Sequence, residues 1–471
     1  MGNKARMYLD VMALNPEVTG SCFLCILKLP NKESVRFVID CGLFQEEEYE
    51  KFNYCFPFEP QNIDFALLTH NHVDHTGRLP LMFREGFDGK VYCSKQTQIL
   101  LPLALYDSCK VLKDVCKRKN IKQLYSDSDV SKTISSVVGL NFNSKTQITP
   151  NINVTLLENG HLIGAAMIWV EIHYPGEEDI NILFSGDYNN KNILFDVGEI
   201  SEDIKQKRVS LVVESTYGKM SSSEISYTFK TDLLNSINQN KTVIIPVFSL
   251  GRAQEILFHL KKLQQEESLD ENIPIFFDGK LAHQYTNIYL TNDEILSAEK
   301  RNFMPENVTF VDCTCRENLL NTDNCKIIVT TSGMGTYGPA QVYLPYFVPK
   351  RNAAIIFTGY TAEKTLGRIL QETEKGDFVK IGGLLVKKNS DVFSTTEFSS
   401  HAKSDEIVEL IKKFENLRAV IINHGEESEK EEMAKKVMHE IDISHVGILD
   451  REYFFRIDTW GINKTLSTKF K

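Results

Sequence analysis

Short apolar runs separated by turns characterise the opening part of the chain, and they predict β-strands. The stretch from Gly77 to Phe83 is typical of a helix start, so a strand, a loop and a helix should follow one another there. Residues from about Gln98 to Lys145 have a mostly helical pattern with a lysine-rich, solvated middle. The expected strands are Cys22 to Leu29, Ser34 to Ile39, Phe65 to Leu68 and Lys90 to Cys93.

Acidic residues stand just past two later apolar runs. Strands resume near Ile152, and the runs Ile180 to Phe184 and Val209 to Val213 end shortly before Asp187 and Glu214. Each run thus places an acid beyond the end of a strand.

A different pattern begins near Gly218. Strand-like runs alternate there with helical stretches, which is typical of a parallel α/β unit. After about Lys388 the pattern returns to strands, with Ala419 to Ile422 leading into Asn423 and His424. We therefore predict an insertion inside another domain. The runs of the inserted part are Val243 to Val247 with a helix from Gly251, Ile273 to Phe277, Lys326 to Thr330 and Ala353 to Phe357.

Length and charge narrow the class of protein. The 471 residues exceed what one hydrophobic core usually serves. A formal net charge of −10 argues against broad electrostatic adhesion to nucleic acid, although two bound divalent ions would make a cleft locally positive. The first residues lack an apolar signal-peptide run, and no window approaches a membrane span, so we expect a cytoplasmic protein without membrane contact. The oligomeric state is not readable, and a homodimer stays open.

One stretch packs four metal-binding side chains into six residues, namely His70, His72, Asp74 and His75. Zinc-type ions favour imidazole and carboxylate ligands. A loop just past a strand could send His70 and His72 to one ion, and Asp74 and His75 to a neighbour. Among the ten cysteines, Cys22-x-x-Cys25 lies in a strand-like run and has no second matching pair, so a zinc knuckle is not expected. The pattern predicts a hydrolase with two divalent ions, expected to be Zn²⁺.

Three further candidates, His161, Asp187 and His424, each follow an apolar strand and could complete the two ions. A lone histidine in such a loop is more often an ordinary loop or capping residue, so these assignments depend on the cluster. Asp187 has two carboxylate oxygens and could bridge the ions. Ions about 3.5–4 Å apart share a water, lower its pKa and stabilise the attacking and leaving oxygens together.

The series Thr69-His70-x-His72-x-Asp74-His75 resembles the histidine motif of the metallo-β-lactamase superfamily. Ile39-Asp40-Cys41-Gly42 resembles the first acidic motif of the same superfamily. The resemblance implies an αββα fold, in which Asp40 orients the metal loop rather than binding metal.

A narrower series resembles the β-CASP nucleases, which include RNase J and the endonuclease of pre-mRNA 3′-end cleavage. Its segments are Glu214 to Gly218, Pro246 to Glu255, Gly359-Tyr360 with Thr365 to Arg368, and Phe398 to Ala402. The resemblance implies an αββα sandwich interrupted by an inserted α/β domain with a parallel sheet. The expected domains are 1–217, 218–385 and 386–471, with single-stranded RNA in the cleft between the sandwich and the insertion. In such a site, Glu214 and His401 would join Asp74 as catalytic residues, with His401 donating a proton to the leaving oxygen.

Several residues are candidates for substrate contact. Arg252 stands at an expected helix N-terminus, where backbone N–H groups and a guanidinium favour a phosphate. Arg252 could instead be a surface arginine on a capped helix. The loop at Ser332-Gly333 is a similar phosphate-contacting candidate, and it could instead be a simple turn. One departure from the β-CASP pattern is Lys364, because relatives often carry glycine there. The full set of candidates is Ser249, Arg252, Ser332, Gly333, Ser399 and Ser400.

The leading hypothesis is a metal-dependent ribonuclease that cuts single-stranded RNA through a hydroxide bridging two zinc ions. Three alternatives remain open: a hydrolase of a small phosphodiester, lactone or thioester; a 5′-3′ exoribonuclease; and a non-catalytic architectural subunit of an RNA-processing complex. The stretch after His424 is too short for the separate C-terminal domain of RNase J, which favours endonucleolytic cleavage.

Overall fold

A computed structural model describes residues 6–45, 47–195, 197–298, 300–322, 324–362, 364–458 and 461–466. The chain divides into two compact units. The first comprises Met1–Asn192, Asp196–Ser222 and Ser400–Lys471, and the second comprises Ile193–Phe195 and Ser223–Ser399. The sequence boundary at 385 differs from the end of the second unit, since the strand Asp391–Ser394 pairs with Ala353–Phe357 of that unit. The domain boundaries stay a prediction.

The first unit contains two mixed β-sheets. Three strands of the second sheet, Leu417–Ile422, Val209–Val213 and Ile180–Phe184, are adjacent and parallel. The eight-stranded sheet has the order Ile462–Leu466, Tyr453–Asp458, Tyr8–Ala13, Phe23–Lys28, Ser34–Ile39, Phe65–Leu67, Lys90–Ser94 and Val137–Leu140. The seven-stranded sheet has the order Val446–Ile448, Leu417–Ile422, Val209–Val213, Ile180–Phe184, Ala166–Ile172, Ile152–Glu158 and Thr146–Thr149.

The two sheets face each other across one apolar core, and helices cover their outer faces. Cys25 belongs to the core between the sheets, whereas the next residue back, Leu24, packs on the outer side with Met82. This alternation follows from the two-residue period of a strand, and it explains why strands buried on both faces are mostly apolar. The helices of this unit are Val73–Thr76, Leu79–Arg84, Lys95–Lys119, Asp127–Ser135, Glu202–Gln206, Ser404–Lys412 and Glu427–Glu440, with short 3₁₀ turns at Glu47–Tyr54 and Pro60–Asn62. The αββα arrangement expected from the sequence is confirmed.

The second unit is built on a six-stranded sheet in which every described pair is parallel. Val243 and Ile245 pack on one face and Ile244 packs on the other, so both faces are buried. The strand order is Val308–Phe310, Ile275–Asp278, Lys326–Thr330, Thr242–Pro246, Ala353–Phe357 and Asp391–Ser394. The helices are Phe229–Asn238, Arg252–Gln265, Lys280–Thr291, Arg316–Leu320, Ala340–Phe347 and Leu366–Glu372, with 3₁₀ turns at Ser222–Glu224 and Cys313–Cys315. The predicted α/β insertion with a parallel sheet is therefore confirmed.

Two features differ from the sequence pattern. The region predicted to be helical up to Lys145 turns into the strand Val137–Leu140, which pairs in parallel with Lys90–Ser94. A separate hairpin of the second unit joins Phe378–Ile381 to Leu384–Lys387. Among the described residues, no helix is long and apolar enough to cross a membrane.

Candidate metal centre

Strand ends bring the candidate side chains of the first unit together. Asp187, Glu214 and His424 follow the three adjacent parallel strands of the second sheet. Because the carboxyl ends of parallel strands lie at the same edge of a sheet, residues distant in sequence become neighbours there. Asp40 and Thr69 likewise follow the parallel neighbours Ser34–Ile39 and Phe65–Leu67.

Asp40 holds the histidine loop. Its Oδ1 accepts a hydrogen bond from the Thr69 amide at 2.8 Å, and its Oδ2 accepts from the Thr69 hydroxyl at 2.7 Å. The same Oδ2 lies 2.7 Å from Nδ1 of His75. Asp40 has a φ of +59°, a conformation that aspartate tolerates better than most side chains. The contacts are those of a residue that orients metal ligands, the role that the superfamily resemblance implies for Asp40.

The loop also depends on close backbone packing at Gly42. A Cβ added to Gly42 would lie 1.5 Å from the carbonyl oxygen of Asp74. The Cys41 amide donates to the carbonyl of His75 at 2.7 Å, and the Ser21 amide donates to that of Asp74 at 2.9 Å. The backbone between Asp74 and His75 is therefore fixed on both sides.

The predicted ligands form two groups, in each of which one ligand atom per residue lies within 4.8 Å of the others. One group contains His70, His72, His161 and Asp187, and the other contains Asp74, His75 and His424. All seven predicted metal ligands are thus brought together, from four separate parts of the chain.

The two oxygens of Asp187 face different groups. Oδ1 lies 3.3 Å from Nε2 of His75 and 3.3 Å from Nδ1 of His424. Oδ2 lies 3.6 Å from Nε2 of His70 and 3.7 Å from Nε2 of His161. A carboxylate in this position can contribute one oxygen to each of two cations.

Hydrogen bonds on the far side of three imidazoles fix which nitrogen of each ring faces the centre. His161 donates from Nδ1 to the carbonyl of Ser400 at 2.9 Å, and His424 donates from Nε2 to the carbonyl of Val18 at 3.0 Å. His70 places Nδ1 3.0 Å from the hydroxyl of Thr69. Each of these rings then presents a lone pair to the centre, as metal-binding histidines do when their second nitrogen donates to an oxygen.

Several buried nitrogen and oxygen atoms at the centre have no hydrogen-bond partner, which bears on whether divalent ions fit there. His75 Nε2, His424 Nδ1 and Asp187 Oδ1 are buried atoms without a hydrogen-bond partner, and they converge. His72 Nδ1 also lies 3.2 Å from His70 Nε2 and 3.1 Å from His161 Nε2, which brings three ring nitrogens together. Buried polar groups of this kind are costly unless a partner satisfies them. A cation held by nitrogen and carboxylate donors satisfies them, so the donor set fits divalent metal.

Electrostatics favour the metal-binding protonation states in one of the groups. Burial lowers the pKa of His70 and His161 well below the usual histidine value, which keeps both rings neutral. For Asp187, burial alone would raise the pKa, but the surrounding histidines outweigh it and hold the pKa well below its usual value. The carboxylate is therefore ionised, the form that binds metal.

Glu214 and His401 form a pair beside the centre. His401 Nδ1 lies 2.9 Å from Oε2 and 3.1 Å from Oε1 of Glu214, and its Nε2 lies 4.0 Å from Oδ2 of Asp187. Glu214 also accepts a hydrogen bond from the backbone amide of Tyr188. Burial would lower the pKa of His401, but Glu214 raises it above the usual value. The His401 side chain keeps 21% of its surface exposed, whereas that of Glu214 is 1% exposed.

The predicted substrate-contacting residues differ in their surroundings. Arg252 begins the helix Arg252–Gln265, but it is only 5% exposed and pairs with Glu255 at 2.9 Å, so it is not a surface arginine. The carbonyl of Ser249 accepts a hydrogen bond from the side chain of Gln254, which belongs to the helix Arg252–Gln265. The hydroxyl of Ser332 accepts a hydrogen bond from the Tyr337 amide at 3.2 Å.

Gly333 packs beside the ring of Phe248. Ser399 donates its amide to the carbonyl of Thr396 at 3.3 Å, and Ser400 contacts His161 through its carbonyl. Lys364 has a φ of +64°, where glycine is favoured.

Some contributors had no sequence signal. The carbonyls of Val18 and Ser400 and the amide of Tyr188 act through backbone atoms, which no side-chain pattern reveals. Thr69 could have been found, because its position between a strand and the first histidine is where a hydroxyl can contact both Asp40 and His70.

Three family models match the chain. They are Metallo-beta-lactamase superfamily domain over residues 29–217, Beta-Casp domain over 253–370, and Zn-dependent metallo-hydrolase RNA specificity domain over 386–446. With the fold and the cluster of histidines and aspartates, they define a hydrolase that uses divalent metal ions.

Relatives define the family more closely. The chain is 30% identical to Transcription termination factor FttA of Methanosarcina mazei over 91% of this chain and 68% of that protein. It is also 30% identical to the RNase J-like protein of Methanocaldococcus jannaschii over 83% of this chain and 87% of that protein. The chain belongs to the β-CASP family of metallo-β-lactamase-fold nucleases.

Two further matches concern only part of a relative's length or only the fold. The chain spans only about two thirds of the length of the termination factors it matches, 68% for that of M. mazei and 63% for that of M. jannaschii. A crystal structure of a protein of unknown function from Enterococcus faecalis V583 superposes with a TM-score of 0.55, covering 96% of this chain and 100% of that one. At 11% identity, this likeness shows the fold alone.

Proposed function

We propose that this chain is a ribonuclease that hydrolyses phosphodiester bonds of single-stranded RNA endonucleolytically and holds two zinc ions. The proposal rests on the position of Asp187. One of its oxygens faces each ligand group, and its Oδ2 lies 4.0 Å from Nε2 of His401. This arrangement supports the proposal, because two cations and a proton donor could share one carboxylate.

The donor set supports zinc as the metal. Five imidazoles with two carboxylates, those of Asp74 and Asp187, are ligands that zinc prefers over magnesium or calcium, which take mostly oxygen. Two such ions, when bound, lower the pKa of a shared water and neutralise charge on a phosphate. His70, His72 and His161 would hold one ion, His75, His424 and Asp74 the other, and Asp187 both.

The remaining chemistry belongs to His401 and Glu214. Hydrolysis forms a bond from a water oxygen to phosphorus and breaks the bond to the leaving oxygen, which needs a proton. His401 Nε2 would donate that proton, and a positioned acid of this kind contributes about 10²–10⁴-fold to a rate. Glu214 would hold the Nδ1 side of the ring, so that Nε2 stays on the side of Asp187.

RNA as the substrate is supported by similarity. The relative from M. jannaschii is named RNase J-like, and the model matching residues 386–446 is described as an RNA specificity domain. We favour endonucleolytic over 5′-exonucleolytic cleavage, because a metal pair with one proton donor would act on any phosphodiester that reaches it.

The test uses zinc-loaded protein with labelled linear RNA, circular RNA and single-stranded DNA. Cleavage of the circle demonstrates endonuclease action, since a circle has no 5′ end. We expect Asp74→Ala and His401→Ala to lose at least a hundred-fold in rate, with His173→Ala, whose ring is 60% exposed, as the matched control.

The outcomes separate the alternatives. Cleavage of linear RNA alone would replace the endonuclease by a 5′-3′ exoribonuclease. Turnover of a small chromogenic phosphodiester without RNA cleavage would indicate a small-substrate hydrolase. Undiminished cleavage by Asp74→Ala, or no hydrolysis of any substrate, contradicts the proposal.

A further inference from the structure

Three exposed aromatic side chains occupy loops of the second unit that the metal chemistry does not use. Phe248 is 41% exposed, Tyr337 is 69% exposed and Tyr360 is 43% exposed. Aromatic rings bury large apolar areas when they pack, so a group of exposed rings at one place indicates a binding surface.

The sheet topology places these rings at one edge. Phe248 follows the strand Thr242–Pro246, Tyr337 follows Lys326–Thr330, and Tyr360 follows Ala353–Phe357. The first of these strands lies between the other two, and both pairings are parallel. All three loops therefore leave the carboxyl edge of the sheet, where open parallel sheets bind their ligands.

Direct contacts join the loops into one surface. A Cβ added to Gly333 would lie 3.0 Å from the ring of Phe248, so the ring lies against this glycine. The Gly367 amide donates to the carbonyl of Met334 at 2.8 Å, which links the second loop to the segment that follows Tyr360.

Tyr337 is anchored by its backbone. Its amide donates to the Ser332 hydroxyl at 3.2 Å, and its carbonyl accepts from the Ser332 amide at 3.3 Å. We call Phe248, Tyr337 and Tyr360 the aromatic edge.

We propose that the aromatic edge stacks the bases of single-stranded RNA. In the described parts of the loops 247–251, 331–339 and 358–365, every exposed large apolar side chain is a Phe or Tyr and none is aliphatic. Flat rings suit the faces of bases of any sequence, because every base has a π-face on which a ring can stack. The helix Arg252–Gln265 also begins at this edge, and its N-terminus favours a phosphate.

This inference rests on the proposed function, because it takes RNA as the ligand. It adds that binding depends on unpaired bases and tolerates any sequence. A duplex, whose bases are already stacked, gains nothing from the aromatic edge.

The experiment measures fluorescence-anisotropy binding in a His401→Ala background, which limits cleavage. The probes are a single-stranded RNA, the same strand with abasic sites in the middle, and the corresponding duplex. We expect Tyr337→Ala and Phe248→Leu to weaken single-strand binding roughly five-fold to a hundred-fold each, because base stacking on one ring is worth that much. Binding of the abasic strand should not change.

Two controls separate stacking from other causes. Tyr337→Phe keeps the ring and should bind like the parent. Phe378→Ala removes a 62% exposed ring from the hairpin that precedes the strand Asp391–Ser394, hence from the amino edge of the sheet, and should have no effect. Phe248→Leu keeps apolar bulk, so retained affinity in this variant would indicate general apolar docking instead of stacking.

The proposal is overturned if Tyr337→Ala and Phe248→Leu leave single-strand affinity unchanged, or if they weaken the abasic strand equally. Failure of the proposed function is a separate result, since it is read from RNA cleavage by the wild-type chain with zinc.

Discussion

Replacing Asp187 by asparagine should weaken both metal positions at once. Asparagine has nearly the same shape but no charge and only one oxygen. In the structure, one carboxylate oxygen lies 3.3 Å from His75 and His424, and the other lies 3.6 Å from His70 and 3.7 Å from His161. Loss of a ligand that bound only one of the two ions would leave the other metal position intact.

The magnitude follows from linkage. At free zinc a thousand times the Kd, binding stabilises the folded state by about 4.1 kcal/mol per site. Loss of residues that merely orient ligands costs about 10–100-fold in affinity, so a hundred-fold loss is a conservative figure for Asp187 itself. The same zinc concentration then stabilises by about 1.4 kcal/mol, a difference of about 2.7 kcal/mol per site or about 5 kcal/mol for two.

The assay combines bound zinc per chain with thermal unfolding at fixed free zinc. The wild type should bind two ions, and Asp187→Asn should lose zinc-dependent stabilisation at both. Asp179→Asn is the control, because Asp179 is 51% exposed and contacts only a surface histidine, His173, among the described ion pairs. Retention of one tight site by Asp187→Asn would refute the bridging argument, and retention of two would remove Asp187 from the centre.

Three other predictions follow from local geometry. Gly42→Ala should lower zinc binding and cost about 1–3 kcal/mol in unfolding free energy, because its Cβ would collide with the carbonyl of Asp74; unchanged zinc stoichiometry and Tm would contradict this. Lys364→Gly should raise the free energy of unfolding by up to about 1 kcal/mol in denaturant titration, since φ is +64°, and a loss of stability would show that the lysine makes compensating contacts. Burial alone would raise the pKa of Asp391, but hydrogen bonds from Lys241 and Lys375 outweigh it and hold the pKa below its ordinary value. A carboxyl whose pKa is lower in the folded state stabilises the fold at a pH above its unfolded pKa, and this contribution is lost as the pH falls through its folded pKa. Asp391→Asn should therefore make the free energy of unfolding less dependent on pH below about pH 4. An unchanged pH dependence would argue against the ion pair.

Strands with both faces buried were well predicted. The observed strands Ile180–Phe184, Val209–Val213 and Lys326–Thr330 have the bounds expected from their apolar runs. Burial on both faces keeps most positions of such a strand apolar, with Asn181 and Ser210 as interior exceptions, so its ends are visible in the sequence. The strand Val137–Leu140 was missed, because its pairing with Lys90–Ser94 is a long-range contact that overrides a helical pattern.

The sequence by itself determined the ligand chemistry and its local part, because His70 to His75 lie within six residues whatever the rest of the fold does. Only the tertiary structure decided the rest. His401 and Glu214 are 187 positions apart, and they meet within 2.9 Å because the strand carrying Glu214 ends beside the segment carrying His401. The direction of each imidazole lone pair depends on backbone carbonyls such as that of Val18, 406 positions from His424. A linear pattern specifies which donors exist, but distances between strand ends and the orientation of a ring are properties of packing.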